Sequence, residues 1–296
     1  MASTQFEELL ALFAGMEIPP DAPVETWRAG YDGLGAMVPA DPTARVGEDA
    51  TVGGVPAWDV LPAGDHRRTV LYLHGGGYHI GSPTSHKALA THLAREAEAR
   101  VVLLDYRLAP EHVFPAAIDD AVAAYRALLD EGTEPGRLAV AGDSAGGGLA
   151  VAALLALRDA RAPLPACAVC LSPWADLTQS GGTVATKADD DPIVRGDDLD
   201  RWAASYLAGV EPTHPLASPV FADLAGLPPL LVHVGSRETL LDDARRLASR
   251  ARAAGVDVDL WEADGMIHVW HQYAGLVPEA DDAVRSVASF LIERTP

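Results

Sequence analysis

The chain has 296 residues, 49% of them hydrophobic and 22% charged, with a formal net charge of −20 from 42 acidic and 22 basic residues. That length is enough for one large core with a small accessory element, and the negative balance disfavours nucleic acid and anionic membrane surfaces as partners. The acids are scattered, Asp189-Asp190-Asp191 being the one consecutive triple, and they read as a solvated surface.

Residues 1–45 open on an amphipathic stretch in which Gln5, Glu7 and Glu8 interrupt the apolar positions, followed by Ile18-Pro19-Pro20. With no basic start it does not read as a signal peptide. No later stretch approaches the ~18 apolar residues of a membrane helix. From there the hydrophobic pattern alternates. Strands are expected near 55–60, 69–73, 101–105, 137–141, 167–171, 230–234 and 257–261, and helices near 84–98, 115–130, 145–160, 240–254 and 279–293. Such alternation implies a mostly parallel sheet with helices on both faces. Residues 1–45 and 176–215 fall outside the rhythm, the second carrying Trp202 and Tyr206 on a helix-like stretch. Both are expected near the carboxyl ends of the strands, where α/β sheets keep their sites, and both are read as cap. Cys167 and Cys170 lie three apart on an expected strand and so face opposite sides, which argues against zinc or redox use. They read as small core residues of a cytoplasmic protein.

Two motifs carry chemistry. Gly142-Asp143-Ser144-Ala145-Gly146 joins an apolar run to a helix pattern, as in a nucleophile elbow, where small neighbours let strand and helix approach and the strained serine exposes its Oγ. Upstream, His74-Gly75-Gly76-Gly77 follows the strand expected at 69–73. Unobstructed backbone N–H groups there can face the oxygen that turns negative when a serine attacks a carbonyl. Neither segment matches the dinucleotide fingerprint or the P-loop, so a nucleotide reading is weak.

With Asp105-Tyr106-Arg107-Leu108-Ala109-Pro110-Glu111 and Phe114-Pro115-Ala116-Ala117 added, the chain resembles the hormone-sensitive-lipase-like (bacterial family IV) esterases over nearly its whole length. The resemblance implies an α/β-hydrolase fold with a mostly parallel eight-stranded sheet, helices on both faces and a helical cap. It implies a serine carboxylesterase with Ser144 as nucleophile and the N–H groups of Gly75, Gly76 and Ala145 as oxyanion donors. The base must follow the last strand, and His268 in Asp264-Gly265-Met266-Ile267-His268 stands where the family places it. His271 reads as a solvent or cap contact, His86 and His92 as helix residues, His233 as a strand residue and His74 as a brace for the glycine loop. The acid position departs from the usual Asp-Pro-Leu: the text is Gly235-Ser236-Arg237-Glu238, which puts Glu238 there, with Asp242 as its competitor.

Tyr78, His79, Trp174, Trp202, Tyr206 and Trp270 are candidates for lining the substrate cleft, with a core role as the equal alternative. No metal or cofactor is expected, since there is no His-Glu-x-x-His and no ligand set with zinc spacing. The expected partner is a small-molecule ester of short to medium acyl chain, with a homodimer left open. Lactone, amide or deacetylation chemistry on the same triad, and a non-catalytic binding relative, are the alternatives; the presence of His268 counts against the last.

Overall fold

The computed structural model describes residues 2–13, 19 and 21–296. Of the Ile18-Pro19-Pro20 run that follows the amphipathic start, Ile18 and Pro20 lie outside the described residues. One sheet of eight strands runs in the order β1-β2-β4-β3-β5-β6-β7-β8. The strands are β1 (Arg45–Val52), β2 (Val55–Leu61), β3 (Arg68–Leu73), β4 (Ala99–Leu104), β5 (Leu138–Asp143), β6 (Cys167–Leu171), β7 (Leu230–Gly235) and β8 (Val258–Ala263). β2 is antiparallel to both β1 and β4, and every other pairing is parallel. The strand missing from the hydrophobic pattern is β1. It is exposed along most of its length, and its register slips between Gly47 and Ala50, so no alternation marks it. By contrast β3, β5, β6 and β7 are covered on both faces and read as continuous apolar runs.

Helices α4 (Ala116–Asp130), α5 (Ala145–Asp159) and α8 (Leu241–Ala253) pack into one core, and α3 (Pro83–Glu96) and α9 (Pro278–Arg294) into the other. Cys170 belongs to the first core and Cys167 to the second, as alternation along β6 demands. Burial pushes both thiols up to about 12. The start of α3 shows local sequence at work. Ser82 accepts from the N–H groups of Thr84 and Ser85, Ser85 returns a bond to the Ser82 N–H, and Pro83 sits in the first turn.

The segments outside the strand–helix rhythm contain α1 (Thr4–Phe13), α2 (Val24–Met37), the single turn α6 (Thr183–Thr186) and α7 (Gly196–Leu207). Among the described residues no helix is long and apolar enough to cross a membrane. Parallel pairing brings Leu73 beside Gly142, Asp143 beside Leu171 and Gly235 beside Ala263. The loops that follow β3, β5, β6, β7 and β8 therefore leave the same edge of the sheet, and every candidate site residue but Trp202 and Tyr206 lies on those loops or on the elements that continue them.

Candidate active site

Ser144 joins β5 to α5 with φ 53° and ψ −121°, a conformation that disfavours any side chain and persists only where the surroundings enforce it. Enforcement comes from both sides: the Ser144 N–H donates to the Leu171 carbonyl at 2.8 Å, and its carbonyl accepts from Trp174 at 2.9 Å. The flanking glycines are required by contact. A Cβ on Gly146 would lie 2.0 Å from the Leu73 carbonyl oxygen, and one on Gly142 2.3 Å from that of Gly146.

Facing the elbow, the loop after β3 is braced by His74, whose ring stacks on Tyr106 at 4.3 Å and whose Nδ1–H donates to the Gly75 carbonyl. The first glycine corrects the expectation for the oxyanion donors. The Gly75 N–H is already engaged, donating to Asp143 Oδ1 at 3.1 Å, because the chain turns that amide back toward the buried carboxylate that precedes Ser144. Burial alone would raise Asp143, but His86, Tyr72 and His74 hold it below the usual carboxylate range. Among the described residues the N–H groups of Gly76, Gly77 and Ala145 donate to no protein acceptor. Gly77, the third glycine of the run, thus replaces Gly75 in the candidate set.

Behind the serine, His268 Nε2 lies 2.9 Å from Ser144 Oγ, and His268 Nδ1 lies 3.0 Å from Glu238 Oε2. The other oxygen of Glu238 accepts from the Gly235 N–H at 2.5 Å and the Ser172 hydroxyl at 2.7 Å. Burial pushes the His268 imidazole down, but the hydrogen bond and charge of Glu238 outweigh it and leave the ring above its ordinary 6.5. Complete burial raises the Glu238 carboxyl against the pull of His268 and Ser172. Asp242 is elsewhere: it opens α8 and accepts from the Thr183 N–H at 3.1 Å, while the Asp242 N–H donates to Thr183 Oγ1 at 2.9 Å.

Several partners of the site carry no local sequence signal. Asp191, from the acidic triple read as surface, is buried; it accepts from Ile193 and Val194 through one oxygen and from the Thr239 N–H at 2.8 Å through the other. It ties the 176–215 insertion to the turn that bears Glu238. Ser172 and Asp143 are likewise marked only by their neighbours, Asp143 being the residue before Ser144.

The six aromatic candidates divide. Trp202 on α7 covers Gly77, stacks on His79 and meets Trp27 of α2 edge to face. Trp27, His79, Arg201, Trp202 and Ser205 border a cavity of about 230 Å³ between α2 and α7. Tyr78, Trp174 and Tyr206 are buried in the core on the α5 side, with Tyr78 and Tyr206 stacked at 3.9 Å. Trp270 is corrected outright: it lies in the opposite core, its indole N–H donating to the Glu279 carbonyl, because the chain after His268 dives under the sheet toward α9. His271 follows it and is no solvent contact. It is fully buried against His233, 3.1 Å away.

The α2 segment reaches the same loops. Arg28 donates to the carbonyls of His79 at 2.9 Å and Ala109 at 3.1 Å while pairing with Glu111, and the Gln272 amide donates to Tyr31 Oη at 2.8 Å.

Residues 70–272 match the family model described as alpha/beta hydrolase fold. An acetyl-hydrolase of Streptomyces hygroscopicus is 54% identical over 83% of this chain and 82% of its own length. An esterase of Acinetobacter venetianus is 34% identical over 89% of this chain and 87% of its own. The solved structure of an esterase from the bacterial hormone-sensitive lipase family superposes with a TM-score of 0.96 at 46% identity, covering 100% of both chains.

Proposed function

The chain belongs to the hormone-sensitive-lipase-like esterases of the α/β-hydrolase family and is a carboxylic ester hydrolase, and within that class we propose that it hydrolyses short- to medium-chain acyl esters through a Ser144–His268–Glu238 triad. The observation that carries this reading is the unbroken line from Ser144 Oγ through both ring nitrogens of His268 to the Glu238 carboxylate, at 2.9 and 3.0 Å.

In this mechanism Ser144 Oγ attacks the ester carbonyl as His268 Nε2 takes its proton, and Glu238 stabilises the imidazolium. The carbonyl oxygen becomes an oxyanion, held by the N–H groups of Gly76, Gly77 and Ala145; losing one oxyanion donor costs about 3 kcal/mol in a serine protease of unrelated fold. Collapse breaks the bond to the alcohol, which leaves with the proton from His268. Water then attacks the acyl-enzyme, His268 accepting its proton and returning it to Ser144. The α2 and α6–α7 segments act as a cap that limits the acyl cleft. The name acetyl-hydrolase of the 54% identical relative supports acetyl as an accepted acyl group; because it specifies no bond, it also fits a second reading, removal of acetyl from an amide by the same residues.

Turnover of p-nitrophenyl esters from acetyl to dodecanoyl, alongside p-nitroacetanilide, tests both. Acetyl to hexanoyl esters should be fastest. Rates that rise toward dodecanoyl would defeat the chain-length reading, and faster anilide cleavage would move the function to amides. Ser144→Ala should abolish turnover with the fold intact, and a serine-reactive phosphonate should label Ser144 alone.

A further inference from the structure

Ser172 follows β6 and is completely buried, with φ 48°. Its hydroxyl has one proton to give, and gives it to Glu238 Oε1 at 2.7 Å. Ser172 Oγ in turn accepts from the Val269 N–H at 3.1 Å. Val269, the residue after His268, has φ 48° and ψ 45°. A β-branched residue holds that left-handed conformation only where its surroundings compel it, and such strain gathers at functional sites. With Oε1 taken by Ser172 and by the Gly235 N–H at 2.5 Å, the carboxylate cannot rotate, and Oε2 is left directed at His268 Nδ1.

We propose that Ser172 is a positioning residue. Its hydroxyl fastens the acid-bearing turn to the histidine-bearing loop, so that Glu238 and His268 keep one alignment while the imidazole gains and loses its proton. The proposal rests on the reading of Glu238 as the triad acid, and its test separates the two.

The informative variant is Ser172→Gly, because glycine adopts a positive φ without strain, so the backbone is relaxed while the hydroxyl is lost. Ser172→Ala, which keeps the Cβ, runs beside it so that a folding defect in one variant does not decide the outcome. Turnover of p-nitrophenyl acetate is normalised to active centres titrated with phosphonate, in the parent, Ser172→Gly, Glu238→Gln and the double variant. Loss of the hydroxyl should lower kcat roughly 10- to 100-fold, by analogy with removal of the outer hydrogen-bond partner of a metal-binding histidine, with KM nearly unchanged. The acid limb of the kcat profile should move to higher pH, since a carboxylate relieved of a donor holds the imidazolium more strongly. In the Glu238→Gln background the same change should add less than about twofold, as coupled residues do. A Ser172→Gly enzyme with parental kcat and an unmoved limb, beside an inactive Glu238→Gln, would overturn the positioning role alone, as would a full additive loss in the double variant. An active Glu238→Gln would bring down the triad reading, and this proposal with it.

Discussion

Replacing Glu238 by glutamine changes one oxygen for one nitrogen, and the structure dictates where the nitrogen goes. Oε1 accepts from two fixed donors, the Gly235 N–H at 2.5 Å and the Ser172 hydroxyl at 2.7 Å, so the amide oxygen must stay there. The new NH2 then faces His268 Nδ1, 3.0 Å away, and donates to it. A histidine that accepts at Nδ1 carries its proton on Nε2, the nitrogen 2.9 Å from Ser144 Oγ, and cannot take the serine proton. The same tautomer error in a serine protease costs about 10⁴ in kcat, or roughly 5.5 kcal/mol of barrier. Stability should move the other way: burial raises the folded-state pKa of Glu238, so its ionised form opposes folding at neutral pH, and a neutral amide removes that opposition. Initial rates on p-nitrophenyl acetate with titrated active centres give the first quantity, and thermal melts the second. Asp242→Asn is the control, expected to cost about 0.3–1 kcal/mol at the start of α8 and to leave kcat nearly whole. A Glu238→Gln enzyme within tenfold of the parent, or a larger loss in Asp242→Asn, would refute the reasoning.

Because Glu238 holds the His268 imidazole above 6.5, kcat/KM should decline as pH falls through a value higher than that; an acid limb centred below 6 would contradict the assignment. His233 behaves oppositely, since burial lowers its ring to about 3 while the unfolded chain binds a proton near 6.5. Its contribution to stability is therefore present above 6.5 and lost toward pH 3, at up to about 1.4 kcal/mol per pH unit. His233→Asn should accordingly show a shallower fall of urea midpoint between pH 6.5 and 4.5 than the parent, and parallel curves would dismiss the linkage. Arg28→Ala removes the donors that join α2 to the carbonyls of His79 and Ala109, so it should lower kcat/KM with little change in melting temperature. Unchanged kinetics would mean that α2 does not act as cap.

What could be read from the sequence is whatever local contact forces upon it. A serine at positive φ between a strand and a helix needs Gly142 and Gly146 because carbonyl oxygens stand where their Cβ atoms would be, and so the elbow is written in five consecutive residues. Buried parallel strands need unbroken apolar runs, which is why β3 to β7 were legible; antiparallel β2 and the more exposed β8 keep enough apolar positions to be read, and the exposed, slipped β1 does not. Tertiary structure alone decided the directions in which groups point once the chain has turned. The amide of Gly75 is spent on Asp143, 68 positions away. Trp270, two residues beyond His268, belongs to the opposite core. Ser172 meets Glu238 across 66 positions and Val269 across 97, and Asp191 meets Thr239 across 48. No periodicity encodes such pairings, because a hydrogen bond needs an orientation that only the packed neighbours of both partners supply.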